Sequence, residues 1–180
     1  EITIENVHIS GNSISGDTVG GLIGTFMSGK INKSSTDIDI NGNDEFGKMG
    51  GLVGSNRGEI DNSYAKGNVS GAGNNAGGLV GNNGRIIKKS YATGEVSSSN
   101  DASVGGLVGS NHLEINNSYA VGNASASGSG NIGGLVGYNG GTISNSYAKG
   151  KVTEGDNVGG LVGYNPDGTI KDSMSLNATC

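Results

Sequence analysis

Apolar residues occur along the chain in short runs that are separated by Gly, Asn and Ser, and these runs recur at a regular interval. The most regular run is the pentapeptide GGLVG at Gly50–Gly54, with a near copy, GGLIG, at Gly20–Gly24. The first glycine of each GGL falls at 20, 50, 77, 105, 133 and 159, so the interval varies from 26 residues (133 to 159) to 30 (20 to 50). Such a period is typical of solenoids. We therefore treat residues 1–180 as a single repeat domain whose units begin near these six positions.

Alignment on GGL shows that single residue types recur at fixed places in the unit. Three columns are the clearest: Leu22, Leu52, Leu79, Leu107, Leu135 and Leu161; Tyr64, Tyr91, Tyr119 and Tyr147; and Asn56, Asn83, Asn111, Asn139 and Asn165. Stacked asparagines can form hydrogen-bonded ladders, and Asn tolerates the left-handed backbone conformation. We therefore predict that these columns are structural, with the Asn column at a corner of the repeat.

The pattern favours short strands over helices. The units are rich in Gly, Asn and Ser, and each apolar run is short, as expected for strands that end in turns. We place one strand on Val-Gly-Gly-Leu-Val, one on Ile-x-Asn-Ser-Tyr-Ala and one on a following Val position. The predicted fold is an all-β parallel β-solenoid (β-helix) of about six coils, with roughly 27 residues and three short strands per coil. Six coils would form a rod ~30 Å long.

The GGLVG strand would carry apolar side chains on both faces. In the last copy, Val158 and Val162 would point one way and Leu161 the other, because side chains alternate along a strand. Either both faces are buried, or one face forms an exposed apolar stripe for a partner.

Length differences between units are confined to the segments before each GGL, such as Asn41–Lys48 and Thr153–Asn157. In repeat proteins, such insertions collect on one edge, which is often the edge that meets partners. The chain also opens on what looks like the tail of an earlier unit and closes before a seventh GGL. We therefore expect a fragment of a longer array, with flanking domains that cap the open ends.

Composition narrows the classes of function. There are 37 Gly and one Pro, and hydrophobic residues make up 32% of the chain, below the ~45–50% of a typical globular protein. The net charge is −5, with no basic stripe for nucleic acid. No apolar run suggests insertion into a membrane. The single cysteine, Cys180, has no partner for an internal disulfide.

Few residues suggest chemistry, and we expect neither a cofactor nor catalytic residues. The densest acidic group, a weak candidate for Ca²⁺, consists of Asp37, Asp39, Asp44 and Glu45. A solvated loop is the favoured interpretation, since no other unit repeats these acids. His8 and His112 belong to no cluster with zinc-ligand spacing.

Three motifs are misleading. GTFMSGK at Gly24–Lys30 has the spacing of a P-loop, but Ile31 stands where Ser or Thr is needed and no helical pattern follows. GSGNIG at Gly128–Gly133 lies in a variable segment. Glu59 and Asp61, or Glu154 and Asp156, could imitate a glycosidase pair, but exposed strand and loop carboxylates at this density are ordinary.

The repeated G-G-L-[VI]-G followed by N-S-Y-A resembles the GLUG motif. The resemblance covers nearly the whole chain in six units. It implies a bacterial surface or secreted protein, since GLUG motifs occur in adhesin-like proteins and in the N-terminal regions of IgA-specific metallopeptidases. The chain has no H-E-x-x-H, and the resemblance brings no catalytic residues to it.

The leading hypothesis is a non-enzymatic extracellular module that acts as a rigid spacer and binding scaffold in adhesion. Its partner would be a protein or glycan ligand on a host or neighbouring cell, together with flanking domains of the parent chain, and not nucleic acid. One alternative is a substrate-recognition or scaffold module of a larger secreted metallopeptidase. Another is a carbohydrate-binding or polysaccharide-processing β-helix, an analogy of fold alone.

Overall fold

The computed structural model describes residues 2–100 and 102–177, so Cys180 lies outside the described residues. This part of the chain contains β-strands and no helix, and hence no apolar helix long enough to cross a membrane. The chain begins with β1 (Thr3–Glu5) and β2 (His8–Gly16), and the first coil follows with β3 (Thr18–Gly20), β4 (Ile23–Phe26), β5 (Lys30–Asn32) and β6 (Ser35–Gly42).

The second and third coils comprise β7 (Lys48–Gly50), β8 (Val53–Asn56), β9 (Glu59–Asp61), β10 (Tyr64–Ala65), β11 (Val69–Gly71), β12 (Asn75–Gly77), β13 (Val80–Asn83), β14 (Ile86–Lys88), β15 (Tyr91–Ala92) and β16 (Val96–Ser98). The fourth and fifth comprise β17 (Ser103–Gly105), β18 (Val108–Asn111), β19 (Glu114–Asn116), β20 (Tyr119–Ala120), β21 (Ala124–Ala126), β22 (Asn131–Gly133), β23 (Val136–Asn139), β24 (Thr142–Ser144), β25 (Tyr147–Ala148) and β26 (Val152–Thr153). The sixth comprises β27 (Asn157–Gly159), β28 (Val162–Tyr164), β29 (Thr169–Lys171) and β30 (Met174–Ser175).

Each strand pairs in parallel with the equivalent strand of the next coil. Ile60, for example, pairs with Ile31 on one side and with Ile87 on the other. The strands thus form four sheets, of seven, eleven, six and six strands, that run along the stack. The predicted all-β parallel solenoid of about six coils is confirmed.

The number of strands per coil differs from the prediction, because complete coils contain five short strands and not three. The GGLVG segment is interrupted by a bend at Gly51 and Leu52, between β7 and β8. The Ile-x-Asn-Ser-Tyr-Ala segment is interrupted at Asn62, whose φ is +48°. Two of the three predicted strands are therefore each divided by a corner.

The left-handed corners also lie in a different column from the one predicted. Positive φ angles recur two residues after the middle Ile of β5, β9, β14, β19, β24 and β29, at Lys33, Asn62, Lys89, Asn117, Asn145 and Asp172. In the Asn56 column, the side chains of Asn56, Asn83, Asn111 and Asn139 are instead buried inside the stack. The sequence pattern did not separate these columns, since both are rich in Asn.

The interior consists of two apolar cores that lie side by side. Leu52, Val53 and Ile60 belong to one core, whereas Met49 and Val69 belong to the other. The bend in GGLVG directs the residue before the two glycines into one core and the Leu and Val after them into the other.

The Leu column therefore faces inward throughout. Leu52, Leu79, Leu107 and Leu135 have no exposed surface, and Leu22 and Leu161 in the end coils are partly buried. The alternative of an exposed apolar stripe is wrong, because strict alternation of side chains does not continue through a bend.

Small residues, including Gly51 and Ala65, narrow the coil between the two cores, and we call this narrow part the waist. A Cβ built on Gly51 would lie 2.7 Å from the Cβ of Ala65 and would overlap the carbonyl oxygen of Gly78 in the next coil. The second glycine of GGLVG thus lets two walls of the coil meet. Its role is to allow close backbone approach, as an internal structural position.

Two polar ladders run through the interior. Asn56 Nδ2 donates to Asn83 Oδ1 at 2.9 Å, and the pattern continues through Asn111, Asn139 and Asn165 at 2.9, 2.8 and 2.6 Å. A second ladder, which the sequence analysis did not identify, links the serines that precede each Tyr position. In it, the backbone N–H of Ser63 donates to Ser90 Oγ at 3.1 Å.

Candidate functional site

The variable segments form one edge of the solenoid, which we call the loop edge. It consists of the connections from β6 to β7, β11 to β12, β16 to β17, β21 to β22 and β26 to β27. These connections hydrogen-bond to one another, as when Asn74 N–H donates to the Gly47 carbonyl at 2.9 Å. The loop edge is therefore an ordered surface that carries the least repetitive residues of the chain.

Phe46 is the most prominent side chain of the loop edge. It is 71% exposed and lies beside a shallow hollow of about 380 Å³ that is lined by Glu45, Phe46, Asn74, Ser99 and Asn100. An exposed aromatic ring next to polar groups can supply apolar area to a partner at low entropic cost. The sequence signal was available, since Phe46 is a large apolar residue in a segment of Gly, Asn and Asp.

The four carboxylates considered for Ca²⁺ lie on β6 and in the connection that follows it: Asp37, Asp39, Asp44 and Glu45. Asp39 Oδ1 accepts the backbone N–H of Asn68 at 2.8 Å, and Asp44 Oδ1 accepts that of Phe46 at 2.7 Å. Among residues 2–100 and 102–177, no three His, Cys, Asp or Glu side chains are grouped so that they could hold a metal ion. Two of these carboxylates thus serve the backbone, and the structure does not bring the four together.

The Tyr column forms a flat row on the outside of the eleven-stranded sheet. The rings of Tyr64, Tyr91, Tyr119 and Tyr147 stack at centroid distances of 4.8, 4.9 and 4.9 Å, and neighbouring planes differ by 7° or less. Burial, and then the neighbouring tyrosines, raise the pKa of Tyr91 and Tyr119. The row presents ring edges and hydroxyls to solvent, because each ring covers the face of the next.

Other residue types occupy the first positions of the same column. His8 pairs with Ser35, which in turn pairs with Tyr64. His8 Nδ1 lies 2.8 Å from Ser35 Oγ, so the imidazole is held by the neighbouring coil. Met174 follows Tyr147 at the other end of the row.

Four charged residues form a compact cluster on the seven-stranded sheet. Lys30 Nζ lies 3.2 Å from Glu59 Oε1 and 3.2 Å from Asp61 Oδ2. Lys88 Nζ lies 2.8 Å from Glu59 Oε1 and 3.7 Å from Asp61 Oδ2. Hydrogen bonds from Lys88, and then from Lys30, lower the pKa of Glu59 against the opposing effect of burial. Glu59 is therefore a paired anion, which does not suit the proton donor of a glycosidase.

We expect this cluster to make stability depend on pH in the acidic range. The folded-state pKa of Glu59 lies below its ordinary value of 4.5, so its contribution is present above that value and is lost as pH falls through the lower, folded pKa. Glu59→Gln should destabilise the protein by about 0.5–1 kcal/mol at pH 7, since the pair is partly exposed, and by less at pH 3, below the ordinary pKa of 4.5, where protonation of the unfolded state has already removed part of that contribution. Urea unfolding at both pH values would measure the difference. Glu154→Gln is the control, and an equal effect of Glu59→Gln at both pH values would contradict the assignment.

Taken together, in-register coils, two apolar cores and internal Asn and Ser ladders define a repeat protein of the parallel β-solenoid class. The chain carries GLUG motifs, which match at residues 49–70 and 128–153. The resemblance found in the sequence is thereby confirmed in the second and fifth units. No curated protein matches the chain at a significant level.

A solved structure shares the fold. It is that of a putative immunoglobulin A1 protease from Bacteroides ovatus, with a TM-score of 0.63 and 20% sequence identity. The alignment covers 98% of this chain and 60% of that one, so the present chain spans about three fifths of that structure. At this identity, the similarity establishes the fold.

Proposed function

We propose that the chain is a non-enzymatic, extracellular module of a bacterial surface or secreted protein, and that it acts as a rigid spacer and binding scaffold in adhesion. The observation that carries the proposal is the Asn ladder, which joins five successive coils and is buried from Asn56 to Asn139. A stack connected in this way resists bending, because displacement of one coil would leave buried amides without partners. The loop edge adds a surface that varies from coil to coil on this regular frame.

The proposed extracellular location is supported by the GLUG motifs and by the resemblance to surface and secreted proteins that these motifs imply. The partner we propose is a protein or glycan on a host or neighbouring cell, contacted at the loop edge. Flanking domains of the parent chain would cover the two ends of the stack.

A second candidate is a substrate-recognition or scaffold module of a larger secreted metallopeptidase. The observation that favours it is the shared fold with the Bacteroides ovatus protein. A polysaccharide-processing role has less support, because Glu59 and Asp61 are held in ion pairs with Lys30 and Lys88.

Adhesion through the loop edge can be tested with beads that display the chain. Beads that carry the unsubstituted chain should be retained on host epithelial cells. The Phe46→Ser substitution should reduce retention about tenfold, as expected for loss of a central aromatic anchor. Met27→Ser is the matched control, since Met27 is also strongly exposed, at 59%, but lies between β4 and β5, away from the loop edge.

Two outcomes would contradict the proposal. The first is the absence of retention for beads with the unsubstituted chain, or equal retention of that chain and the Phe46→Ser variant. The second is turnover of a polysaccharide that disappears in Glu59→Gln or Asp61→Asn, since that would show an enzyme.

A further inference from the structure

One outward-facing column changes character towards the end of the stack. On β4, β8, β13, β18, β23 and β28, the residues in this column are Thr25, Ser55, Asn82, Ser110, Tyr138 and Tyr164. Four of the six coils thus carry a small polar residue in this column and still form the same strand. The two tyrosines are not required by the repeat, so their presence needs another explanation.

The rings of these two tyrosines are arranged differently from those of the Tyr column. The centroids of Tyr138 and Tyr164 are 5.9 Å apart, and their planes differ by 48°. The ring of His112 lies 5.9 Å from Tyr138 at 43°. Because the rings are tilted, they do not cover one another as the flush rings of the Tyr column do. Tyr164 is 44% exposed, so ring surface is available to a ligand.

A row of amides lies directly beside the tyrosines. Ser110, which precedes Tyr138 in its column, donates from Oγ to Asn75 Oδ1 at 2.7 Å, and Asn75 shares a column with Ser103, Asn131 and Asn157. Asn157 Nδ2 donates to Asn131 Oδ1 at 2.9 Å, and Asn131 Nδ2 reaches Ser103 Oγ at 3.4 Å. These contacts orient the two amides along the stack, in the column that neighbours the tyrosines.

The same amides line a polar hollow of about 270 Å³, together with Ser103, Ser129 and Asp156. Among the described residues that line it, there is a carboxylate but no Lys or Arg. An anionic ligand would therefore meet no compensating charge, which disfavours acidic glycans, phosphates and acidic peptides.

Open aromatic faces next to amides and hydroxyls fit one class of ligand. The C–H face of a neutral sugar ring is apolar and weakly positive, so it is complementary to the negative face of an aromatic ring. The sugar hydroxyls can both donate to and accept from Asn side chains. We propose that Tyr138, Tyr164, Asn131 and Asn157 form a binding site for a neutral oligosaccharide. This names a ligand class for the binding scaffold and so rests on the proposed function.

The site can be tested by NMR titration of the full chain with the trisaccharides of glucose, mannose and N-acetylglucosamine. At least one should bind with a Kd of about 0.1–1 mM, with saturation transfer from tyrosine ring protons. The double variant Tyr138→Ser/Tyr164→Ser, which restores the residue found at Ser55 and Ser110, should weaken that binding at least about tenfold. Tyr138→Phe/Tyr164→Phe should retain most of it, because the ring faces remain.

Three results would overturn the site. These are no binding of any neutral trisaccharide at concentrations on the order of 10 mM, unchanged binding by the double Ser variant, or tighter binding of trigalacturonate than of the neutral sugars. Far-UV circular dichroism establishes that each variant is folded. Failure of the sugar-binding test would leave the bead assay unaffected, because that assay depends on Phe46. Conversely, loss of bead retention with intact sugar binding would reject adhesion through the loop edge and leave the sugar site standing.

Discussion

Gly78→Val is expected to prevent folding, or to lower the melting temperature by more than about 10 °C. A Cβ on Gly78 would overlap the carbonyl oxygen of Gly106 in the next coil and would lie 2.8 Å from the Cβ of Ala92 across the waist. Neither group can rotate away, because one is backbone and the other is the first atom of its side chain. Overpacking of a core costs about 1–3 kcal/mol, and more where the backbone must move. Thermal unfolding followed by circular dichroism measures the effect.

Gly84→Val provides the matched control within the same coil. Gly84 is exposed, and a Cβ there would have only the Asn56 carbonyl oxygen at 3.3 Å and a flexible Arg57 carbon at 3.9 Å near it. Its effect should stay within about 1 kcal/mol. Equal melting of the Gly78→Val variant and the parent would show that the glycines of GGLVG do not hold the coils together.

Asn83→Ala is expected to cost about 2–4 kcal/mol, since it interrupts the Asn ladder at a fully buried position. The change would remove the 2.9 Å hydrogen bonds that the Asn83 side chain makes with Asn56 Nδ2 and Asn111 Oδ1. It would also remove the hydrogen bond from Asn83 Nδ2 to the Arg85 carbonyl, at 2.9 Å, that holds the following bend. Unfolding in guanidinium chloride gives the free energy of unfolding.

Asn165→Ala removes the same side chain from the last position of the ladder. Asn165 is exposed, so water can replace its lost hydrogen bonds, and the cost should stay below about 1 kcal/mol. If both variants lost the same free energy, burial of the ladder would not be the source of its stabilising effect.

The repeat period and the residue columns were sufficient to predict the class of fold. Spacing alone placed Tyr64, Tyr91 and Tyr119 in one column, and the structure pairs these residues. Identical residues in parallel strands stack only if the register is the same in every coil, so in-phase columns are strong evidence for a solenoid.

The path of the chain within a coil could not be predicted from the pattern. Strict alternation assigned Leu161 and Val162 to opposite faces, whereas the bend after the two glycines directs both towards the same core. Gly, Asn and Ser are compatible with strands, bends and left-handed corners alike, so they did not show which column turns the chain. The interior divides into two cores because the second glycine of GGLVG approaches a small residue across the coil, as Gly51 does Ala65 and Gly78 does Ala92.

Surface features depend on residues that depart from the repeat. The ion pairs of Glu59 and Asp61 require Lys30 and Lys88 in adjacent coils, and sequence analysis considered the two acids without their partners. Tyr138 and Tyr164 lie outside the conserved Tyr column, so the consensus gave them no weight. The ion-pair cluster and the proposed sugar site therefore both rest on residues that break a column.

The central claim is a parallel stack with one coil per repeat, and pulsed electron paramagnetic resonance tests it most directly. One exposed column includes Asp37, Lys149 and Leu176. Each of its members comes directly after a residue of the paired column Thr36, Ala65, Ala92, Ala120, Ala148 and Ser175. Spin labels at Asp37→Cys and Lys149→Cys, with Cys180→Ser, should be about 19 Å apart, which is four coil spacings of ~4.8 Å. Labels at Asp37→Cys and Leu176→Cys should be about 24 Å apart, one spacing more. Broad distributions, or two distances that do not differ by one coil spacing, would contradict the stack.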